Sequence, residues 1–171
     1  SMSKYMHNAC FKQKKLNWVY MPFKVRKSEL GIFMKNFRDF EFRGSSITIP
    51  YKVGIIKYAN GIDETAQKIG AVNTLVNKNG KIIAYNTDYY GAVQAIKEKT
   101  ELDNKKVLVI GAGGAARAVI YGLKKENAEI TVTNRTIEKA KNLADEFDTK
   151  VEDMENMKEL IEQNDIIINT T

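Results

Sequence analysis

Residues 107–136 read VLVIGAGGAARAVIYGLKKENAEITVTNRT. The apolar run 107–110, the glycine cluster behind it and the helical spacing of the next apolar residues predict a strand, a tight turn and a helix. Gly111 permits the turn, and Gly113 lets the backbone approach a pyrophosphate. Ala116 keeps the helix close to the strand. This arrangement is typical of a domain that binds a dinucleotide cofactor.

The start of the predicted helix is the expected phosphate site. The backbone N–H groups that the first helical turn leaves unpaired, together with the positive end of the helix dipole, face the phosphates in such domains. We therefore predict that the cofactor contacts a segment of five residues: Gly111, Ala112, Gly113, Gly114 and Ala115.

A second strand, residues 130–133, follows the helix and completes a strand–helix–strand unit. About 20 residues after the first glycine, NAD-binding domains place an acidic side chain on the ribose 2′-hydroxyl, whereas an arginine accommodates the 2′-phosphate of NADP. This chain has Asn134 and Arg135 there, without a carboxylate. We predict NADP(H), bound at this end by Asn134, Arg135, Thr136 and Lys139. The alternative is that Arg135 lies only on a solvated helix start.

Length and composition indicate a globular protein of one or two domains. The chain has 171 residues, of which 43% are hydrophobic and 28% charged. No apolar run approaches the ~20 residues of a membrane span. Cys10 is the only cysteine, which excludes an internal disulfide framework and fits a reducing compartment. We expect a cytoplasmic protein.

The charge pattern argues against nucleic acid as a partner. The net charge of +6 is spread over many predicted helices, and no basic run is interleaved with aromatic residues. A metal site is not expected either, because His7 is the only histidine and the chain has no paired cysteines. The expected partners are therefore small molecules.

The first hundred residues predict a mixture of helices and short strands. The predicted helices run from Met2 to near Lys15, from Ser28 as N-cap to before Gly44, over 53–58, over 62–69, and onward from Thr87 and Asp88. The predicted strands are an irregular or edge strand at 18–25, a strand at 45–49, and a hairpin of 74–76 with 81–85 around a turn rich in Asn and Gly.

The polar segment 99–105 is the expected domain boundary. We predict an α/β protein with a substrate domain at 1–100, built on a mixed sheet, and a Rossmann-like NADP-binding domain at 101–171. Beyond the opening unit, the pattern predicts a helix capped by Thr136, a helix at 155–163 and a third parallel strand at 165–169. A doubly wound domain has about six strands, so we expect a truncated domain.

Lys52 and Asp88 are the candidates for proton transfer. Lys52 follows T-I-P-Y at the end of a predicted strand, and Asp88 ends Y-N-T-D after another strand. Both can project into one cleft between the domains. An ammonium can protonate an alkoxide as hydride arrives, and a carboxylate nearby can orient it. Taken alone, a lysine and an aspartate so far apart in sequence are more often surface residues.

Six short motifs occur along the chain in a fixed order. They are SMSKYMHN at 1–8, GSSITIPYK at 44–52, GAVNT at 70–74, YNTD at 85–88, GAGGAAR at 111–117 and NRT at 134–136. In sequence and order these motifs resemble the shikimate dehydrogenase family, and the resemblance covers nearly the whole chain. The match departs at Lys4, where the family has proline, and at Ser46, where it has asparagine.

The resemblance implies an NADP-dependent oxidoreductase that interconverts 3-dehydroshikimate and shikimate in aromatic amino acid biosynthesis, as a monomer or homodimer. Lys52 and Asp88 match the family's catalytic pair. The residues that match its shikimate ligands are Ser1, Ser3, Thr48 and Asn73. Shikimate carries a carboxylate and three hydroxyls, which suits side chains that both donate and accept hydrogen bonds.

Two alternatives to this activity stay open. One is a quinate/shikimate dehydrogenase, which shares the pocket. The other is a catalytically silent NADP-binding fragment, since the family has a strand before the serine motif and further elements after I-N-T-T. By that comparison the chain is expected to be truncated at both ends and to be unstable or inactive alone.

Overall fold

The computed structural model describes residues 2–171. Its helices are α1 Ser3–Gln13, α2 Leu30–Asp39, α3 Glu64–Ile69, α4 Asp88–Lys97, α5 Gly114–Lys125, α6 Ile137–Phe147 and α7 Met157–Gln163. Its strands are β1 Gly44–Ser46, β2 Gly61–Ile62, β3 Thr74–Lys78, β4 Lys81–Tyr85, β5 Lys106–Ile110, β6 Glu129–Thr133, β7 Lys150–Val151 and β8 Ile166–Asn169. The chain divides into two compact units, Ser1–Asn36 and Phe37–Thr171.

In the first unit, the segment after α1 is not a strand, so the prediction of an irregular strand at 18–25 is wrong. The side chain of Asn8 accepts a hydrogen bond from the Tyr20 backbone N–H at 2.7 Å and donates one to the Tyr20 carbonyl at 3.0 Å. His7 stacks on the Tyr20 ring with the ring centroids 4.5 Å apart. The amide of Asn8 thus takes the backbone groups that a neighbouring strand would have paired.

The second unit holds a mixed sheet with the strand order β1-β3-β4-β2. β3 pairs antiparallel with β1 and β4, and β4 pairs parallel with β2. The predicted hairpin is confirmed. Asn79 and Gly80 have φ angles of 53° and 82°, the two positive values that a type I′ turn requires.

Several predicted boundaries in the first hundred residues are wrong. Ser28 lies inside a 3-10 turn, Lys27–Glu29, that precedes α2, rather than at the N-cap. The strand predicted at 45–49 is limited to β1, and the helix predicted at 53–58 is limited to the 3-10 turn Ile56–Tyr58. In the helix predicted at 62–69, the first residue belongs to β2. The Asp63 carboxylate then caps α3 by accepting bonds from the N–H groups of residues 65 and 66.

The other sheet of the second unit is fully parallel, with the order β7-β6-β5-β8. Its central strand β5 buries Val107, Leu108 and Val109 completely, as the apolar run predicts. The third parallel strand predicted after residue 164 is present as β8, but β7 was missed because it contains only two residues. β6 lies on one side of β5 and β8 lies on the other, so the strand order reverses at β5. α/β sheets bind ligands at such a point, beyond the carboxyl ends of the strands.

The helices α4 and α5 pack closely at a glycine. A Cβ added to Gly122 would lie 2.7 Å from a methyl carbon of Val93 and 3.0 Å from the carbonyl oxygen of Tyr89. Only glycine allows this approach, which brings the start of α4, at Asp88, alongside the helix that follows the glycine turn. Within residues 2–171, no helix is both long enough and apolar enough to span a membrane.

Candidate active site

Lys52 and Asp88 form an ion pair, although 36 residues separate them in the chain. The Lys52 Nζ donates to Asp88 Oδ2 at 2.6 Å. The side chains are 16% and 30% exposed, so the pair is largely withdrawn from solvent but still reachable. An ammonium has three N–H groups, and the pairing leaves two of them for a hydroxyl of a bound molecule.

Backbone hydrogen bonds fix the segment that carries Lys52. The N–H of Ile47 donates to the carbonyl of Asn73 at 2.6 Å, and the N–H of Val72 donates to the carbonyl of Lys52 at 2.7 Å. The stretch from 47 to 52 therefore lies beside 72–73, and both ends of the stretch are tied to it. This pairing holds Lys52 in place without a regular strand.

Asn86 fixes the segment that carries Asp88. Its side chain is buried, accepts a hydrogen bond from the Asp88 backbone N–H at 2.9 Å and donates one to the carbonyl of Ala71 at 2.9 Å. A buried amide with both ends bonded joins the start of α4 to the segment next to Lys52. Sequence reasoning missed Asn86, although it is the second residue of the Y-N-T-D motif.

Asn73, a predicted substrate ligand, is bonded to the protein on every side. Its Nδ2 donates to Asp88 Oδ1 at 2.8 Å and to Thr87 Oγ1 at 2.9 Å. Its Oδ1 accepts from the Thr87 N–H at 3.0 Å and from Thr74 Oγ1 at 2.9 Å. These four bonds use the whole capacity of the amide. Asn73 therefore orients Asp88 from the side opposite Lys52.

The other three predicted substrate ligands are Thr48, Ser3 and Ser1. Thr48 is exposed and lies four residues before Lys52, where its carbonyl accepts from the Tyr51 N–H at 2.9 Å. Ser3 is the first residue of α1, in the Ser1–Asn36 unit. Ser1 lies outside the residues that the structure describes.

A cavity of about 800 Å³ opens beside the Lys52–Asp88 pair, at the carboxyl edge of the parallel sheet. Residues from the ends of β5, β6 and β8 and from the loop around Lys52 share its wall. It is lined by Ile49, Pro50, Lys52, Val53, Ile110, Gly111, Ala112, Gly113, Gly114, Asn134, Arg135, Thr136, Lys139, Met154, Asn169, Thr170 and Thr171. Every predicted cofactor residue lines the cavity except Ala115.

The cavity suits an anionic dinucleotide. None of its lining residues, all within the described range 2–171, is acidic, while Lys52, Arg135 and Lys139 are basic. The N-termini of α5 and α6 both open onto it, and each contributes partial positive charge. A Cβ added to Gly113 would meet nothing within 4 Å. The backbone there is open to a phosphate group, as the glycine pattern predicts.

Thr136 occupies the N-cap position of α6 but makes no side-chain capping bond. Instead, the Asn134 Nδ2 donates to the Thr136 carbonyl at 2.9 Å, and Arg135 is exposed between them. The loop is thus folded by Asn134, which leaves the Arg135 guanidinium free to reach a ligand.

Arg117 is a structural residue of the site that sequence reasoning also missed. Its guanidinium donates to both carboxylate oxygens of Glu146, each at 2.5 Å, and to the Ile69 carbonyl at 3.3 Å. Gly70 has a φ of 68°, and a Cβ there would lie 2.7 Å from Arg117 Nη1. Arg117 therefore joins the end of α3, just before the GAVNT segment, to α5 and α6.

Two family models match the chain, one up to residue 75 and the other from residue 93. Residues 1–75 match the shikimate dehydrogenase substrate binding domain, and residues 93–171 match the shikimate / quinate 5-dehydrogenase model. The matches cover the loop that carries Lys52 and the glycine turn. Asp88 lies in the short interval between them.

Individual relatives of the chain are shikimate dehydrogenases, in agreement with the family models. Over the whole chain, 48% of residues are identical to a shikimate dehydrogenase (NADP(+)) of Methanococcus maripaludis, of which the match covers 63%. The crystal structure of Aquifex aeolicus shikimate dehydrogenase matches with a TM-score of 0.95 and 40% identity, over 100% of this chain and 64% of that one. A Thermus thermophilus shikimate 5-dehydrogenase in complex with NADP(H) and shikimate matches with a TM-score of 0.88 and 32% identity, over 100% and 64%. The chain thus spans about 63% of the length of the curated relative.

Proposed function

Because the chain belongs to the shikimate dehydrogenase family, we propose that it interconverts 3-dehydroshikimate and shikimate with NADP(H). The observation that carries this proposal is the Lys52–Asp88 pair, with 2.6 Å between Nζ and Oδ2, beside a cavity lined by basic side chains and a glycine turn. The pair offers proton transfer, and the cavity offers a place for the cofactor. Both are needed to oxidise a secondary alcohol.

Lys52 is the proposed general base in shikimate oxidation and the general acid in the reverse direction. Asp88 holds the Lys52 nitrogen on one side. In the oxidation the neutral amine accepts the proton of the substrate hydroxyl, and in the reduction the ammonium returns that proton to the carbonyl oxygen. Asp88 orients the lysine and can bond the same hydroxyl. Asn73 holds Asp88 in this orientation through its hydrogen bond to Oδ1.

The cofactor, when bound, supplies the hydride donor or acceptor. The N–H groups at the start of α5 and the turn Gly111–Gly114 would hold its pyrophosphate, and Arg135 and Lys139 would hold the 2′-phosphate. The relative from Thermus thermophilus was crystallised with NADP(H) and shikimate together. This complex supports assigning both ligands to this chain.

Substrate binding is assigned to Thr48, Asn73, Ser3 and Ser1 by their motifs. Thr48 is exposed on the loop that carries Lys52, which supports its role. Asn73 is bonded to protein groups at all four positions. For Asn73 to bind shikimate directly, it has to exchange one of these four bonds, and the two bonds to Thr87 are the more exposed.

We also propose the division into a substrate domain at 1–100 and an NADP domain at 101–171. The strands of the mixed sheet all lie between residues 44 and 85, and those of the parallel sheet all lie between 106 and 169. We further propose that the protein is cytoplasmic and acts as a monomer or homodimer. Its free cysteine, Cys10, is exposed and fits a reducing compartment.

Cofactor choice gives the first testable prediction. In Arg135→Ala, the affinity for NADP(H) should fall about ten- to hundredfold, because a charge-assisted phosphate contact contributes roughly 1.5–3 kcal/mol. The affinity for NAD(H) should stay nearly unchanged. Titration of both cofactors measures this, with Lys141→Ala as the control, since Lys141 pairs with Glu138 at 3.1 Å on α6 and does not line the cavity. Equal binding of NAD(H) and NADP(H) by the wild type would contradict the assignment.

The activity is tested with the full-length gene product. NADPH formation is followed with NADP⁺ and either shikimate or quinate. We expect turnover with shikimate that exceeds turnover with quinate. Equal rates would favour the quinate/shikimate alternative, which the name of the matching family model also allows. If cofactor binds but neither substrate is oxidised, the proposed function is wrong.

A further inference from the structure

The two adjacent glycines of the turn face different surroundings. An added Cβ at Gly113 would point into open space. At Gly114 it would lie 2.7 Å from the Cβ of Lys52, 3.4 Å from its Cδ and 3.4 Å from the Cβ of Ala71. Gly113 therefore leaves room for a ligand, whereas the room left by Gly114 is already filled by protein.

The atoms that fill this room cannot easily move away. The Cβ of Lys52 is next to the backbone, and that backbone is held by the Val72 N–H at 2.7 Å. Ala71 is also fixed, because its carbonyl accepts from the buried Asn86 at 2.9 Å. A side chain at Gly114 would therefore displace Lys52 at its Cβ, next to the backbone.

We propose that Gly114 is a positioning residue for Lys52. Because Gly114 has no side chain, the aliphatic part of Lys52 packs directly against it. The turn that binds the cofactor thereby also sets where the Lys52 ammonium lies against Asp88. The effect on catalysis rests on the proposed function, whereas the contact between Gly114 and Lys52 does not. The contact makes the position of the acid/base group depend on the turn that holds the phosphates.

Thermal unfolding tests the contact without reference to activity. Gly114 has no positive φ and is the first residue of α5, where alanine would normally stabilise the protein. We expect Gly114→Ala instead to lower Tm by about 2–12 °C. Gly113→Ala adds its methyl group in open space and loses only the small preference for glycine at the N-cap of α5, so it should lower Tm by at most about 4 °C. In a Lys52→Gly background, Gly114→Ala should lose most of its effect, because the opposing Cβ is gone. An equal fall in both backgrounds, or none in the wild type, would overturn the proposal.

Kinetics of the full-length gene product test the consequence. Displacing a reacting group by about 1 Å can cost up to about a hundredfold in rate, so Gly114→Ala should lower kcat for shikimate about tenfold or more. Its Kd for NADP⁺ should change less than about threefold, since the backbone N–H groups remain. Gly91→Ala, a helical glycine with open space around it, is the control and should leave kcat unchanged.

The unfolding and kinetic experiments distinguish failure of the Gly114 proposal from failure of the proposed function. A loss confined to KM for NADP⁺ would make Gly114 only a cofactor-binding residue and would overturn the proposal. If the wild type itself fails to oxidise shikimate, the proposed function fails. The Tm comparison between the two backgrounds still decides whether Gly114 seats Lys52.

Discussion

In the full-length gene product, we expect Lys52→Met to lower kcat for the proposed shikimate oxidation by roughly 10²–10⁴-fold, the usual cost of removing a proton-transfer group. Methionine keeps most of the length and the apolar stem of lysine, so the seat of the side chain against Gly114 stays filled. What is lost is the ammonium that donates to Asp88 at 2.6 Å. The Kd for NADP⁺ should stay within about threefold of the wild-type value, because the proposed phosphate contacts come from backbone N–H groups and from Arg135 and Lys139.

The matched control is Lys78→Met. Lys78 is exposed in the hairpin at the end of β3 and does not line the cavity. The Lys78→Met substitution removes the same charge as Lys52→Met and should leave kcat unchanged. A Lys52→Met variant that keeps more than about a tenth of the wild-type kcat would remove Lys52 from the mechanism.

Gly111→Ala should damage both the fold and the cofactor site. Gly111 is buried at the end of β5 with a φ of 119°, which L-residues rarely adopt, and an added Cβ would overlap the hydroxyl of Thr170. Backbone strain contributes roughly 1–3 kcal/mol and overpacking a similar amount. The free energy of unfolding should therefore fall by about 2–6 kcal/mol, a large share of a typical 5–15 kcal/mol. Denaturant unfolding and an NADP⁺ titration measure the two effects, and we expect binding to be weakened severely.

Gly80→Ala separates backbone strain from steric overlap. Gly80 also has a positive φ, 82°, but nothing lies within 4 Å of an added Cβ. Its variant should lose about 1–3 kcal/mol and bind NADP⁺ normally, since the hairpin lies in the other sheet. Equal losses at Gly111 and Gly80, with intact cofactor binding in both variants, would show that the turn does not depend on Gly111.

The elements that sequence predicts well are those whose signal is local. The run 107–110, the glycine turn and the hairpin around Asn79 and Gly80 each have a local signal: an unbroken apolar run, clustered glycines, and turn residues that tolerate a positive φ. The strand predicted at 18–25 is wrong for the opposite reason. Its alternation is real, but the amide of Asn8 pairs the backbone of Tyr20 instead.

The candidate site shows the same division. Lys52 and Asp88 can be proposed from their places at strand ends, yet their ion pair depends on contacts that no spacing reveals. Asn86 is buried between two loops, and Gly114 is needed because of a neighbour 62 residues earlier in the chain. Arg117 looks like a solvated helix residue in sequence, but it pairs with Glu146 and the end of α3. Such positioning residues become visible only when the fold brings their partners together.

A crystal structure of the full-length gene product with NADP⁺ and shikimate bound tests the proposed site most directly. We expect one shikimate hydroxyl within hydrogen-bond distance of both Lys52 Nζ and Asp88, and the cofactor 2′-phosphate on Arg135 and Lys139. The pyrophosphate should lie against Gly113 with the stem of Lys52 still on Gly114. Shikimate bound away from the Lys52–Asp88 pair, or a 2′-phosphate that contacts neither Arg135 nor Lys139, would contradict the proposed mechanism.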